Sequence, residues 1–299
     1  MIVAESKNLQ GELLLNEPMS AHTSWRVGGP ARCFYRPQDQ MDLAVFLQGL
    51  PSDESVMWLG LGSNVLVRDG GFQGVVIAVY GVMNEVSFVA DNTLRAGAGA
   101  SCAVVARQGA RQGLTGLEFL AGIPGTMGGA LAMNAGAFGG ETWDRVKSVE
   151  TIDRAGNLHT RLPDEYAVAY RSVRGPAQEW FVSVDLLLTP GDAEQASMRI
   201  KKLLEQRSSS QPTNQPSCGS VFRNPEHHHA AQLIDSAGMK GVCIGGACVS
   251  EKHANFIINC GNASALDIEL LMHKIQQRVE QVHGICLMPE VHVVGDSCS

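Results

Sequence analysis

The stretch from Gly116 to Glu141, GLEFLAGIPGTMGGALAMNAGAFGGE, constrains the fold more than any other part of the sequence. It has no charged residue between Glu118 and Glu141, but glycines and a proline interrupt it too often for a membrane span, which needs about 20 consecutive apolar residues. Glycine lets a backbone approach a ligand closely, and successive outward amides form an anion-binding nest. The stretch therefore predicts a shaped loop, either against a phosphate-bearing cofactor or as a packed turn between core elements.

A second glycine turn, Gly60–Asn64, directly follows a predicted strand and precedes another. Ser63 and Asn64 can cap backbone groups in such a turn, which makes it a second candidate phosphate loop. A Rossmann fold would need GxGxxG opening a helix, with an acid about 20 residues later. Only two glycines are present here and strand-like residues follow them, so the Rossmann interpretation is rejected.

Composition limits the classes of function that the chain can have. Its 299 residues are enough for two or three domains, and its formal charge of −7 argues against nucleic acid, which is bound mainly by basic residues. The N-terminus does not read as a signal peptide and no segment is apolar enough to span a membrane, so a cytoplasmic protein without a membrane partner is predicted.

The metal-ligating and redox-active residue types give no clear site in the sequence. The eight cysteines contain no CxxC pair and are predicted to be reduced thiols. The run His227–His229 has no second ligand cluster at a suitable spacing, so a solvated turn is favoured and no metal is predicted.

The spacing of apolar residues predicts both helices and strands. The predicted helices cover residues 38–50, 102–112, 192–207, 230–237 and 265–283. The predicted strands cover residues 56–59, 65–67, 75–79, 86–90, 146–152, 158–162, 181–189, 255–259 and 290–294, with two short strands within 24–36. Helices and strands alternate irregularly, so the predicted class is α+β.

Local signals mark the ends of several of these elements. Ser101 is a plausible N-cap for the helix that follows it, and Ser264 with Asp267 resembles a capping box. The polar segment Ser208–Ser217 carries two prolines and is predicted to be a linker or hinge at a domain boundary.

Taken together, the motifs resemble those of the UDP-N-acetylenolpyruvoylglucosamine reductase family, FAD enzymes of bacterial peptidoglycan precursor synthesis. The resemblance runs from His22 to Gly295, and its specificity lies in the joint order of the motifs. Besides the long glycine-rich stretch and the Tyr170-Arg171 pair, the matching segments are HTSWRVGGPA, GLGSNVLVRDGGFQGVVI, PSCGSVFRNP, AGMKGVCIGGACVSEKHANFIIN and Pro289-Glu290-Val291.

The resemblance implies a two-part FAD-binding domain of the vanillyl-alcohol-oxidase type and a C-terminal α+β substrate-binding domain. The implied boundaries are residues 1–66, completed by a C-terminal strand within 289–299, then 67–207, and 208–288 for the UDP-sugar domain. Some family members insert a lid with a second tyrosine after the Tyr-Arg pair. Only nine residues separate Arg171 from the strand beginning at Phe181, so this chain resembles the shorter form.

The implied reaction is the NADPH-linked reduction of UDP-N-acetylglucosamine enolpyruvate to UDP-N-acetylmuramate. By position, the family's catalytic residues correspond to Arg171, Ser220 and Glu290. The implied contacts of non-covalent FAD are Gly60, Leu61, Gly62, Ser63, Asn64, Ala121, Gly122, Ile123, Pro124, Gly125, Thr126, Gly128, Asn134, Ala135 and Gly136. The candidate substrate contacts are Tyr170, Asn224, Lys240 and Lys252.

The residue types alone leave other interpretations open. Without the family context, Arg171 reads as a surface arginine and Ser220 as a turn serine, and Glu290 suits either an acid or a group that orients Ser220. A flavin oxidase of the same fold is an alternative, but such enzymes often tether the flavin through histidine or cysteine, and Gly60–Asn64 has neither. A catalytically silent flavin or nucleotide-sugar binding protein is a third. The UDP-sugar is the expected small-molecule partner, and a monomer is favoured.

Overall fold

The computed structural model describes residues 9–298, and these divide into two compact units. Unit 1 contains the described residues up to Leu14 together with Phe34–Leu61 and Val75–Gln206. Unit 2 contains Leu15–Cys33, Gly62–Gly74 and the chain from Arg207 onward. Each unit is therefore assembled from separate stretches of the chain.

The α-helices are α1 (Gln40–Gln48), α2 (Cys102–Arg111), α3 (Met127–Ala132), α4 (Ala193–Ser210), α5 (Ala230–Ser236) and α6 (Ala265–His283). The first strands are β1 (Glu12–Pro18), β2 (Pro30–Arg36), β3 (Val56–Leu59), β4 (Val65–Val67), β5 (Phe72–Ala78), β6 (Val86–Ala90), β7 (Thr93–Gly97), β8 (Leu114–Thr115), β9 (Gly136–Ala137) and β10 (Gly140–Glu141). The remaining strands are β11 (Val146–Asp153), β12 (Leu158–Arg161), β13 (Ala167–Ala169), β14 (Ser172–Arg174), β15 (Glu179–Leu187), β16 (Thr189–Pro190), β17 (Cys243–Ile244), β18 (Ala247–Val249), β19 (Ile257–Asn259) and β20 (His292–Val294). Short 3-10 turns occur at Met19–Ala21, Glu118–Gly122, Thr142–Arg145 and Pro163–Glu165.

Unit 1 is built around an antiparallel five-stranded sheet with the order β12-β11-β15-β7-β6. Its core includes inward residues of β7, β11 and β15, the buried face of α2, and the glycine-rich stretch, where Leu120, Met127 and Leu131 are almost completely buried. A second sheet has the order β1-β2-β5-β3, and within unit 1 its strands β3 and β5 pair in parallel. The stretch that dominates the sequence is therefore a core element.

Unit 2 packs α5 and α6 against the antiparallel sheet β17-β18-β19. Its core also takes Trp25 from an early part of the chain, and the Trp25 indole N–H donates to the carbonyl of Ile257 at 2.7 Å. The C-terminal strand β20 pairs in parallel with β4, with His292 opposite Val65. The division into the three predicted domains stays a prediction.

The α+β class and most long elements agree with the sequence analysis. The strands 56–59 and 86–90 and the helix 265–283 match the predicted bounds, and Ser264 and Asp267 form the predicted capping box. Ser101 is the N-cap of α2 by position, but its side chain makes no capping hydrogen bond. No helix within residues 9–298 is both long and apolar enough to cross a membrane.

Several expectations were wrong. Residues 24–36 contain one strand, β2 (Pro30–Arg36), instead of two, and its neighbour β1 lies earlier in the chain. Helix α4 continues through Ser208–Ser210, so the predicted linker begins later, because serine is a weak helix former that an established helix can carry. The glycine-rich stretch is also not loop throughout, since Thr126 caps the short helix α3.

The prediction that all cysteines are reduced is contradicted at one pair. Cys243 and Cys248 lie directly opposite each other in the β17–β18 hairpin and are joined by a disulfide, with Cα atoms 4.1 Å apart. The sequence analysis missed this pair because the two cysteines do not have the CxxC spacing. They are brought together by the register of the hairpin, which places them opposite each other.

The buried carboxylate of Asp42, in helix α1, accepts hydrogen bonds from three other parts of the chain near this helix. Asp42 accepts hydrogen bonds from the hydroxyl of Tyr35 at 2.5 Å, from the amide of Gln10 at 2.8 Å and from that of Gln38 at 2.9 Å. Burial raises the pKa of Asp42, but these donors outweigh burial and hold it below its ordinary value. A carboxylate with a lowered pKa stabilises the fold above its unfolded pKa, and that contribution is lost as the pH falls through the folded pKa.

We expect Asp42→Ala to lower the free energy of unfolding at neutral pH by about 2–4 kcal/mol, because unpaired buried donors cost about 1–3 kcal/mol each and water replaces part of the loss. The difference from wild type should shrink below about pH 4, where an ordinary Asp protonates in the unfolded chain. Urea unfolding monitored by circular dichroism at several pH values measures both effects. The exposed Asp53→Ala is the matched control, and equal losses in both variants would contradict the role of Asp42.

Candidate functional site

The first candidate cofactor loop is fixed by backbone pairing. Ser101 and Thr126 form an antiparallel bridge, in which the amide of Cys102 donates to Gly125 at 3.0 Å and that of Met127 to Ala100 at 2.9 Å. The amide of Gly128 also donates to Ala98, at 2.8 Å. The amides of Met127 and Gly128 thus serve the protein's own backbone. In a bridge of this pattern the N–H of Thr126 itself points away from Ser101.

Missing side chains make this pairing possible. A Cβ atom on Gly99 would collide with the carbonyl oxygens of Val79 and Val82, and one on Gly97 would collide with the carbonyl oxygen of Met83. The segment 97–100 therefore lies directly against neighbouring backbone, and its carbonyls remain available to the loop on the other side. The position of the glycine-rich loop depends on these two upstream glycines.

A cavity of about 290 Å³ opens beside this loop within unit 1. One part of its lining, the backbone wall, is backbone and small side chains, including Gly60, Thr126, Gly128 and Gly129. Another part, the aromatic wall, is formed by Trp58, Tyr166, Trp180 and Phe181, and Leu59, Val79, Ala132, Val173, Gly175, Pro176 and Glu179 complete the lining. Exposed backbone and aromatic side chains in one cavity suit a ligand with a phosphate and a planar ring.

The residues of the aromatic wall contact one another and their neighbours. Trp58 and Trp180 stack with ring centroids 5.3 Å apart, and the ring centroids of Tyr166 and Phe181 are 5.8 Å apart. The guanidinium of Arg161 donates hydrogen bonds to both carboxylate oxygens of Glu179. These bonds lower the pKa of Glu179, although burial of the carboxyl group raises it. The sequence analysis missed these lining residues. Trp180 and Phe181 are adjacent aromatic residues near the start of strand β15, but only the pairing and packing of the strands places them in the cavity.

Gly60 stands where the second glycine turn meets the cavity. A Cβ atom there would lie 2.5 Å from Oγ1 of Thr126, the oxygen that caps α3 by accepting from the Gly129 amide at 3.4 Å. The rest of the turn, Gly62–Asn64, belongs to unit 2 by the division of the chain. There the carbonyl of Gly62 accepts from the amide of Ser24 at 3.0 Å.

The predicted segment Asn134–Gly136 and the Tyr170-Arg171 pair come together in unit 1. Asn134 is buried with a left-handed backbone, φ 43°, and its side-chain amide donates to Glu141 at 2.7 Å and to the carbonyl of Ala169 at 3.3 Å. Two residues after that carbonyl, the guanidinium of Arg171 donates to the carbonyl of Gly136 at 3.0 Å and lies 5.4 Å from the centre of the Tyr170 ring.

Arg171 is also left-handed, with φ 53°. Such a conformation is uncommon for a non-glycine residue, costs about 1–3 kcal/mol and clusters at functional sites. Its guanidinium lies on the solvent-accessible side chain of Tyr170, which is 47% exposed. A planar cation held in this way can bind a carboxylate through two parallel hydrogen bonds.

In unit 2 the structure brings together Ser220, Glu290 and Asn64. The amide of Glu290 donates to the carbonyl of Val221 at 2.7 Å, directly after Ser220, and the carbonyl of Glu290 accepts from the side-chain amide of Asn64 at 3.1 Å. Asn255 fixes this segment, since its backbone carbonyl accepts from Val221 at 2.9 Å. A hydroxyl and a carboxyl are thus carried on neighbouring, hydrogen-bonded backbones.

The remaining substrate candidates in unit 2 make local contacts. The side-chain oxygen of Asn224 accepts from the amide of Ala230 at 3.0 Å, at the start of α5. Lys240 pairs with Asp235 at 2.7 Å, and the ammonium of Lys252 donates to the carbonyl of Ser208. Their predicted contacts with substrate stay predictions.

Two family models match separate parts of the chain. A model described as an FAD binding domain matches residues 31–161, and one described as the C-terminal domain of UDP-N-acetylenolpyruvoylglucosamine reductase matches residues 211–294. The first match contains Gly60, the loop at Thr126 and part of the cavity lining. The cavity has a backbone wall without bulky side chains and an aromatic wall, and these features fit part of an FAD molecule.

Complete relatives are similar over nearly the whole chain. Proteins named UDP-N-acetylenolpyruvoylglucosamine reductase from Legionella pneumophila (strain Corby) and Alkalilimnicola ehrlichii are 56% and 54% identical, over 96% and 100% of this chain and 94% and 100% of their own lengths. The crystal structure of the enzyme of that name from Thermus caldophilus is 31% identical, with a TM-score of 0.82, covering 95% of this chain and 99% of the other. These matches confirm the resemblance and the fold class drawn from the motifs.

We expect Gly60→Ala to weaken FAD binding about tenfold or more, because forcing a methyl group into a packed site costs about 1–3 kcal/mol. The measurement is the dissociation constant of FAD for the stripped protein, from quenching of flavin fluorescence. The control is Gly60→Ala combined with Thr126→Ala, which removes the colliding oxygen, compared with Thr126→Ala alone. If adding Thr126→Ala to Gly60→Ala does not restore FAD binding, the collision with the Thr126 side chain is not the cause of the weaker binding.

Proposed function

The chain belongs to the UDP-N-acetylenolpyruvoylglucosamine reductase family, and from this premise we propose that it reduces UDP-N-acetylglucosamine enolpyruvate to UDP-N-acetylmuramate, with FAD as cofactor and NADPH as hydride source. The observation that carries the proposal is the presence in one chain of an FAD binding domain and this family's own C-terminal domain. The reaction belongs to peptidoglycan precursor synthesis. The test is NADPH consumption that depends on the enolpyruvyl substrate.

The chemistry defines three tasks for the protein. When bound, FAD supplies the hydride that the methylene carbon of the enolpyruvyl group receives. Negative charge then develops on the neighbouring carbon and spreads into its carboxylate, so the site must stabilise that carboxylate and deliver a proton. We assign the flavin contacts to the two glycine turns, Gly60–Asn64 and Ala121–Gly128, together with Asn134–Gly136.

Arg171 is the proposed partner of the substrate carboxylate. Its strained backbone and its hydrogen bond to Gly136 hold the guanidinium in one place before substrate arrives. A pre-positioned cation lowers the energy of the charged transition state without reorganisation. Tyr170, under the guanidinium, is proposed as a neighbouring substrate contact. Asn224, Lys240 and Lys252 are proposed to contact the sugar and diphosphate.

Ser220 is the proposed proton donor. Its Oγ gives a proton to the carbon next to the carboxylate and then regains one from water, which completes the conversion of the enol ether to a lactyl ether. Serine is a weak acid, and this suits a strongly basic carbon centre. Glu290, on the adjoining backbone, is proposed either to polarise the ether oxygen as an acid or to orient the Ser220 hydroxyl.

Cys218 is relevant to the oxidase alternative, since it lies beside the second glycine turn. Its Sγ is 3.6 Å from the carbonyl oxygens of both Gly62 and Val65. Burial raises the pKa of this thiol to about 12, although backbone hydrogen bonds lower it. A neutral thiol donating to carbonyls is a poor nucleophile, which favours non-covalent FAD. Release of the flavin on denaturation tests this point.

The formal charge and the family premise support the remaining parts of the proposal. We propose a cytoplasmic protein that acts as a monomer and has no nucleic-acid or membrane partner. A formal charge of −7 disfavours binding to nucleic acid, whose phosphate backbone is bound mainly by basic residues.

We expect Arg171→Lys to lower kcat about 10²-fold, the size of effect seen when one donor to a developing oxyanion is lost. Lysine keeps the charge and loses the planar fork. Steady-state NADPH oxidation with the enolpyruvyl substrate measures the change, and FAD content reports whether the cofactor site survives. The matched control is Arg174→Lys, three residues later and exposed. Similar turnover in the two variants would mean that Arg171 is a surface arginine without a role in catalysis.

We expect Ser220→Ala to slow only the half-reaction with substrate, by about 10²–10⁴-fold, because general acid catalysis contributes that much. Reduction by NADPH requires hydride transfer without this acid and should remain close to the wild-type rate. Stopped-flow flavin absorbance measures the two halves separately. Equal slowing of both would assign Ser220 to positioning the flavin, and no slowing would assign the proton to Glu290 or water.

A further inference from the structure

The hairpin formed by β17 and β18 in unit 2 carries a cysteine at the same level of each strand. The two-residue turn Gly245–Gly246 makes Ile244 and Ala247 the closing pair of the hairpin. On the far side of the cysteines, the amide of Val249 donates to the carbonyl of Val242 at 2.9 Å. The intervening pair, Cys243 and Cys248, therefore has the non-hydrogen-bonded arrangement, in which opposite side chains approach most closely.

The separation of the two backbones suits a disulfide without rearrangement. The Cα atoms of Cys243 and Cys248 are 4.1 Å apart, close to the short end of the range of about 4.4–6.8 Å that is usual for disulfides. The same register serves the dithiol, because the hydrogen bonds on both sides of the pair involve other residues. Both redox states are thus compatible with one hairpin.

Accessibility distinguishes this pair from the buried cysteines. Cys243 is exposed and Cys248 half-buried, whereas their strand neighbours Ala247 and Val249 are buried in the core of unit 2. By contrast, Cys102 is buried, and burial raises the pKa of its thiol to about 12. An exposed cysteine opposite a second cysteine across a strand pair is an arrangement that can exchange with external thiols.

We propose that Cys243 and Cys248 form a reversible thiol-oxidation site. In the forward direction the thiolate of Cys243 attacks one sulfur of a small-molecule disulfide such as oxidised glutathione, and one glutathione thiol leaves. Cys248 then attacks the Cys243 sulfur of the mixed disulfide and releases the second thiol. The protein loses two electrons and two protons, and two glutathione thiols are formed. A dithiol reductant reverses both steps.

The disulfide state acts on the tip of the hairpin. The amide of Gly246 donates to the carboxylate of Asp267 at 3.3 Å, and Asp267 also accepts from the amide of Ser264 in the capping box of α6. The carbonyl of Gly246 accepts from the amide of Cys260 at 2.9 Å. Oxidation fixes the two strands that carry this tip, so the reduced hairpin should open more often while the core of unit 2 remains folded.

The experiment equilibrates the full chain in glutathione buffers of graded ratio, traps free thiols with N-ethylmaleimide and maps the peptides by mass spectrometry. We expect one transition in which Cys243 and Cys248 lose both labels together, while the exposed Cys260 keeps its label. Hydrogen exchange of peptides covering 241–250 should be at least about tenfold faster in the reduced protein, since a disulfide restrains local opening. Peptides from α2 should not change.

Two variants are matched controls. Cys260→Ser should leave the transition unchanged, and Cys243→Ser should abolish it and give fast hairpin exchange in every buffer. Full labelling of Cys243 and Cys248 in the most oxidising buffer would overturn the proposal. A bridge that maps to Cys260, separate glutathione adducts on the two cysteines, or equal hairpin exchange in both redox states would also overturn it.

Discussion

The position of the candidate cofactor loop depends on one contact between backbones. Carbonyls of Ala98 and Ala100 accept amides of Gly128 and Met127, while the other side of the same segment lies against carbonyls of Val79 and Val82. This double contact exists only because Gly99 has no side chain. Every feature built on the loop, including the cap of α3 and the backbone wall of the cavity, follows from it.

Arg171 shows how the fold maintains a strained residue. Its left-handed backbone is unfavourable in isolation, yet the neighbouring carbonyl of Ala169 is held by Asn134, and its own guanidinium is held by Gly136. These two bonds anchor the backbone before Arg171 and the end of its side chain. The contacts that maintain the strained backbone of Arg171 therefore also fix the position of its positive charge.

Unit 2 depends on residues far apart in the chain. Asp69 accepts from the amides of Ala265 and Leu266, both at 2.9 Å, so it supplements the capping box of α6, and Arg68 pairs with Glu269 in the first turns of that helix. Trp25 fills the core beside β19 and donates to Ile257. A segment before the second glycine turn, Gly60–Asn64, and one after it are thus part of the fold of the C-terminal part of the chain, which carries Ser220 and Glu290.

The sequence by itself determined what local patterns encode: the α+β class, the long helix α6 with its capping box, the strands on either side of the second glycine turn, and, through the order of its motifs, the family. It misassigned residues 24–36, the start of the linker and the redox state of Cys243, and it missed the aromatic wall at Trp58 and Trp180. The strand pairing and the aromatic wall depend on partners distant in the chain, and the disulfide depends on the register of the β17–β18 hairpin, and local residue spacing encodes neither. Tertiary structure alone decided them, and it also decided that Arg171 is held by Gly136, since a strained backbone persists only where the surrounding fold supplies its hydrogen bonds.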